Sequence, residues 1–148
     1  MMGIVIAAIV LIADQLSKLL IQHVSALQDV EIIRDFFYLT YVKNTGAAWS
    51  MFSDMTGVLT LISAVAVGVM LWYIVVKKPK GLTLVSVALM AGGAAGNMVD
   101  RLFLQYVRDF LHFYIFGYDF PVFNIADIAL CVGVGLLVLA AFLEEEHQ

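Results

Sequence analysis

The sequence predicts a membrane all-α protein: a four-transmembrane-helix bundle with a small extracytoplasmic antiparallel β-sheet and a short interfacial helix. Three observations predict it. Hydrophobic residues make up 63% of the 148 and charged ones only 14%, whereas a soluble domain runs near about half apolar and about a quarter charged. The apolar residues fall in four long runs rather than in an alternating pattern. The stretches that separate them are either a short basic turn or long segments rich in aromatic and β-branched residues.

The first run covers residues 3–23. It lacks a basic leading region, and it continues through Asp14 and Gln15 into Lys18 without a small-residue cleavage site, so it reads as a retained helix rather than a signal peptide. The other runs cover residues 57–76, 82–101 and 121–143. Each is about as long as the ~20 residues that cross ~30 Å of hydrocarbon. The outer segment 24–56 contains, at 31–42, the run EIIRDFFYLTYV, ending on Lys43-Asn44-Thr45-Gly46. β-Branched and aromatic residues closed by a turn-like cluster predict strands. Segment 102–120, with Tyr106, Phe110, Phe113, Tyr114, Phe116 and Tyr118, predicts an aromatic, amphipathic connection at the membrane interface. No repeat or low-complexity linker divides the chain, which reads as a single membrane domain over 1–148.

The loop at 77–80, Lys-Lys-Pro-Lys, predicts orientation, because basic residues in short loops stay in the cytoplasm. Four helices then place both termini inside and both long segments outside. The net charge of −4 owes much to Glu144, Glu145 and Glu146, and no basic stripe suggests nucleic acid. Cys131 is the single cysteine, so no intrachain disulfide forms, and a thiol in an apolar stretch ordinarily acts as a small hydrophobe.

On this topology the polar residues converge. Asp14 and Lys18 share a face of the outer half of the first helix, four residues apart. Asn44 lies in the first outer segment, Asn97, Asp100 and Arg101 close the third helix, and Asp109 lies in the second outer segment. Asn124 and Asp127 are expected one and two turns into the fourth helix, on one face. Ionisable residues within a membrane are costly and face a bundle interior or a wet cavity, so a polar pocket near the outer surface is expected. Each residue also has a plainer reading. Asp100 beside Arg101 suits an interfacial ion pair, Asp14 suits a partner for Lys18, and Asn97 and Asn124 suit interhelical hydrogen bonding. Gly92 and Gly96 form a GxxxG step that suits close helix packing. His23 and His112 are isolated. Asp127 resists such a reading, since no basic residue lies within a turn of it on its helix.

No HExxH or GxSxG occurs, and no serine has a histidine partner in sequence, which argues against metallo-, serine and cysteine hydrolysis. What remains is carboxylate chemistry. Two aspartates held close do not both ionise easily, so one keeps a proton while its partner acts as a base. Asp127 is one natural member of such a pair. Asp109 and Asp100 are both candidates for the other, and the spacing alone does not choose.

The ordered segments Asp14-Gln15-Leu16-Ser17-Lys18, Asn44-Thr45-Gly46-Ala47-Ala48-Trp49-Ser50, Gly96-Asn97-Met98-Val99-Asp100-Arg101, Val107-Arg108-Asp109-Phe110 and Phe123-Asn124-Ile125-Ala126-Asp127 resemble the lipoprotein signal peptidase (signal peptidase II) family over nearly the whole chain. The resemblance implies a multi-pass aspartic endopeptidase of the bacterial cytoplasmic (inner) membrane, with its active site on the outer side. It would cut prolipoproteins just before a cysteine carrying a diacylglyceryl group. Asp109 and Asp127 fall on the catalytic positions. Asp14, Asn44, Asn97, Arg101 and Asn124 fall on positions that hold the substrate backbone and the dyad, with Arg101 the candidate for gripping a substrate carbonyl; Lys18, Asp100 and Gly46 are secondary. The outer segments would form a cradle and a flap over the lipidated substrate. No cofactor or metal is expected, and the partners expected are the lipidated prolipoprotein and membrane lipids, with the chain a monomer. The short N-terminus, the acidic C-terminus and Trp49 are less typical of the family. Two other readings compete: a small proton-coupled membrane transporter using a carboxylate such as Asp14, and a non-catalytic assembly protein.

Overall fold

A computed structural model describes residues 1–46 and 55–145. In chain order its elements are helix α1 (Met2–His23), strands β1 (Val30–Ile33) and β2 (Phe37–Asn44), and helices α2 (Thr56–Trp72) and α3 (Gly81–Leu104). Strands β3 (Val107–Ile115) and β4 (Tyr118–Phe123) and helix α4 (Ile125–Glu145) follow. Four helices, the second extended to Lys77 by a wider π-type turn, are long and apolar enough to cross a bilayer. The short helical turn Ser25–Leu27 follows α1. The four apolar helices with a small antiparallel sheet are what the sequence predicts.

Helix α3 is the axis of the bundle, packed against α1, α2 and α4. Its span has the lowest mean hydropathy of the four, 1.6, yet half of it is buried, against 6% for the span that begins with α2. The inversion follows from the solvent. Lipid is as apolar as Leu, so large apolar residues face outward at no cost, and small and polar residues gather between helices. Glycines allow the close approach. A Cβ at Gly92 would stand 2.6 Å from the Ala7 carbonyl of α1, and one at Gly93 would stand 2.5 Å from the Ala126 carbonyl of α4. Helix α2 turns Leu61, Ile62, Val65 and Val69 outward, a face that only hydrocarbon tolerates.

The four strands form an antiparallel meander in the order β1-β2-β3-β4. The 31–42 run supplies β1 and β2, but the sheet draws equally on the second outer segment. That segment, expected as an aromatic connection, folds as the hairpin β3–β4. Ile115 and Tyr118 pair across a two-residue turn in which Phe116 and Gly117 have φ of 51° and 79°, the positive pair that matches strand twist. Phe37 pairs with Phe113 and Phe113 with Phe120 across neighbouring strands. The Phe37 and Phe113 rings stack at 4.5 Å.

Helix boundaries differ from expectation at the outer end. The fourth run, expected to be helical from residue 121, begins as β4, and Phe123 pairs with Leu111. Phe-Pro-Val-Phe is apolar enough for either state, and apolarity alone does not separate a buried strand from a helix. Asn124 therefore precedes the helix, and Asp127 sits in its first turn rather than its second.

Candidate active site

Helix α4 begins with a reciprocal cap. Asn124 Oδ1 accepts from the Asp127 N–H at 3.0 Å, while Asp127 Oδ2 accepts from the Asn124 N–H at 3.1 Å. This is the capping-box arrangement, with Asn and Asp in place of the commoner Ser and Glu. It fixes both side chains. With its oxygen committed to the cap, Asn124 points its amide nitrogen into the bundle, where it donates to Asp109 Oδ1 at 2.6 Å and to Asn97 Oδ1 at 3.1 Å. Asn97 Oδ1 also takes Lys18 Nζ at 2.9 Å, so its amide nitrogen is free to donate to Asp127 Oδ1 at 2.8 Å. Lysine has only donors, so Lys18 sets which end of the Asn97 amide meets the carboxylate.

Asp109 arrives from the buried beginning of β3 and is 2% exposed. Its second oxygen accepts from Asn44 Nδ2 at 2.9 Å, offered from the end of β2. Burial, and after it the charge of Asp127, push the Asp109 carboxyl up to about 7 against the downward pull of the Asn44 and Asn124 donors. Two carboxyls from different elements are thus joined through one residue, Asn124, whose side chain donates to Asp109 and whose backbone N–H donates to Asp127.

Gly46 links the sheet to the helices. Its N–H donates to Asn44 Oδ1 at 3.0 Å, and its carbonyl accepts from Arg101 Nη2 at 3.0 Å. The Arg101 Nε, buried, has no hydrogen-bond partner among the described residues, a free donor beside the carboxyls. Of the Asn44–Ser50 motif, Ala47, Ala48, Trp49 and Ser50 lie outside the described residues.

The remaining charged residues form a second, fully enclosed cluster. Lys18 Nζ stands 2.8 Å from Asp14 Oδ2 and 3.4 Å from Asp100 Oδ2. The other Asp14 oxygen accepts from the Ala126 N–H at 2.9 Å, a second clasp on the start of α4. The Asp100–Arg101 ion pair expected from adjacency does not form. Successive helix residues point about 100° apart, so Arg101 turns to Gly46 and Asp100 turns to Lys18 and Arg108. With both oxygens engaged there, Asp100 is not placed as a partner of Asp127. Sequence reasoning gave no role to three members of this cluster, Gln15, Gln22 and Arg108. Arg108 Nη1 and Nη2 donate to Gln22 at 2.9 Å and Gln15 at 2.8 Å. The available signal was three polar residues on α1 at spacings of three or four from one another: Gln15, Lys18 and Gln22. The two isolated histidines lie elsewhere: His112 pairs with Asp119 at 2.6 Å on the sheet, and His23 meets the Leu19 carbonyl. Among the described residues, no three His, Cys, Asp or Glu side chains converge as metal ligands do.

Fold and site together define a multi-pass membrane protein with two carboxyls held among amides beside its four-stranded sheet. A family model described as signal peptidase (SPase) II matches residues 6–143. A solved bacterial membrane enzyme, determined by the in meso method at 2.3 Å, is similar at 32% identity and a TM-score of 0.89, over 99% of this chain and 91% of its own. A second, determined by the same method at 1.9 Å, is similar at 34% identity and a TM-score of 0.82, over 95% of this chain and 92% of its own. The chain belongs to the signal peptidase II family and is a membrane protease.

Proposed function

We propose that the protein is an aspartic endopeptidase that removes signal peptides from diacylglyceryl-modified prolipoproteins, cutting before the lipidated cysteine at the outer face of the bacterial cytoplasmic membrane. The observation that carries the reading is the Asn124 bridge: one residue donates to Asp109 through its side chain and to Asp127 through its backbone. A shared proton and one negative charge suit such a pair near neutral pH, where Asp109 is half-protonated.

In the proposed mechanism the ionised carboxylate takes a proton from a water whose oxygen bonds to the scissile carbonyl carbon. The protonated carboxyl gives its proton to the carbonyl oxygen, leaving a neutral tetrahedral diol. Collapse breaks the C–N bond as the first carboxyl donates to the departing nitrogen, and the second recovers its proton from a diol hydroxyl. Arg101 Nε supplies a donor for a substrate carbonyl, and Asp14, Lys18, Asn97, Asn44 and Asn124 hold the two carboxyls. The sheet and its aromatic face cradle the lipidated segment. The chain acts as a monomer and needs no metal or cofactor. The transporter reading has no comparable support, since one Asp14 oxygen holds the Ala126 N–H of α4 and the other pairs with Lys18 on its own helix.

The test is cleavage of a diacylglyceryl-modified prolipoprotein by the purified protein in detergent, beside its Asp109→Asn and Asp127→Asn variants. Wild type is expected to release the signal peptide with EDTA present, and each folded variant to lose about 10³-fold or more in kcat, as removal of an acid–base group does. Full cleavage by either variant sinks the dyad, and abolition by EDTA sinks the metal-free mechanism.

A further inference from the structure

Arg108 is 4% exposed, and its guanidinium and backbone N–H meet two elements that the strand itself does not belong to. Its N–H and Nε donate to Asp100 Oδ2 at 2.9 and 3.2 Å, and Nη2 donates to Asp100 Oδ1 at 2.6 Å. Nη1 and Nη2 then reach across to Gln22 and Gln15 of α1. One side chain thus joins β3 to α3 through a two-oxygen fork and to α1 through two amides. A planar guanidinium suits that set of directions, and a lysine ammonium does not.

Successive strand residues point to opposite faces, so Arg108 fixed on one side holds Asp109 on the other, one peptide unit away. Asp109 in turn needs that hold. Its two hydrogen bonds come from Asn44, at the end of a neighbouring strand, and Asn124, at a helix cap, and the β2–β3 ladder has a register shift between Leu39 and Val42 just before the Val42–Asp109 pair. The regular ladder is thus interrupted beside the position where the carboxyl must be placed. A buried ion pair adds little net stability, whereas displacement of a reacting group by about 1 Å can cost 10²-fold in rate.

We infer that Arg108 is a positioning residue, which anchors β3 to α1 and α3 so that Asp109 meets Asp127 in the productive geometry. The inference rests on the peptidase reading above. Its test compares wild type, Arg108→Met, Arg108→Lys and Gln22→Leu in the cleavage assay, with thermal midpoints measured in parallel. Met keeps the bulk and loses every side-chain donor, Lys keeps the charge and loses the fork, and Gln22→Leu loses one acceptor.

The expected result is graded: kcat falls about 100-fold for Met, about 10-fold for Lys and a few-fold for Gln22→Leu, with KM within about 2-fold throughout. The Lys variant carries the test if Met fails to fold. A folded Lys or Met variant with wild-type kcat, or a raised KM at unchanged kcat, overturns the inference. Amide hydrogen exchange of residues 107–111 in the same proteins separates this failure from failure of the peptidase reading. If wild type does not cleave, that reading falls, and the anchor still predicts about tenfold faster exchange in the strand for Arg108→Lys, with the helices unchanged. Unchanged exchange sinks the anchor as well.

Discussion

Spacing alone did not separate Asp109 from Asp100, two aspartates near the same end of the bundle, and the structure separates them by what surrounds each. Asp100 meets two cations, Lys18 and Arg108, whereas Asp109 meets amides and another carboxyl. Burial and the neighbouring carboxyl favour a retained proton on Asp109 near neutral pH. The consequence reaches stability. An ordinary aspartate ionises near about 4 in the unfolded chain, while folded Asp109 ionises near about 7. Between those values the folded state binds more protons, so this residue's contribution to stability declines as pH rises and is lost above pH 7. Asp109→Asn removes the titration. The thermal midpoint of that variant minus that of wild type is expected to grow more positive from pH 5 to pH 8, read by scanning fluorimetry in detergent. A difference that is flat or declining with pH contradicts the assignment. Asp127 stood out in the sequence because no basic residue lies within a turn of it on its own helix. The role of Arg108 was not legible, since it depends on which way a strand presents neighbouring residues.

At the scale of elements, the four helices were legible because hydrocarbon imposes one length and one composition on anything that crosses it. The second hairpin was not. Its last residues, Phe-Pro-Val-Phe at 120–123, are apolar enough for either state, and the decision between strand and helix at Pro121 lies in pairing with Leu111 and Phe113 across the sheet. That decision matters for the site, because ending β4 at Phe123 makes Asn124 a cap rather than an interior residue. Helix packing carries the same dependence. A Cβ at Gly96 would land on the Asp14 carboxylate, whose other oxygen holds the Ala126 N–H at the start of α4. Gly96→Ala is therefore expected to cost about 1–3 kcal/mol, as overpacking does, and to lower cleavage by moving the cap. Gly68→Ala in α2, where nothing lies within 4 Å of the added carbon, is expected to be neutral or to stabilise by up to about 1 kcal/mol. Chemical denaturation of the two variants side by side checks both. Equal loss for the two, or none for Gly96→Ala, contradicts the packing argument.

For the whole molecule, the charged and amide residues gather at one end of the bundle, beneath the sheet, and the lysine turn closes the other end. The two ends differ in what they meet. The sheet end presents aromatic hairpins such as the one tipped by fully exposed Phe116, and the opposite end presents Lys77, Lys78 and Lys80. Short basic loops are retained in the cytoplasm, so the site is expected outside, where an enzyme acting on exported precursors must work. Labelling by a membrane-impermeant maleimide tests this in right-side-out spheroplasts, with Cys131→Ser as background because Cys131 lies on the exposed face of α4. Phe116→Cys is expected to label in intact spheroplasts, and Lys78→Cys only after the membrane is permeabilised. The reverse pattern would put the carboxyls on the cytoplasmic side and remove the proposed substrate, while leaving the family and the four-helix architecture as they are.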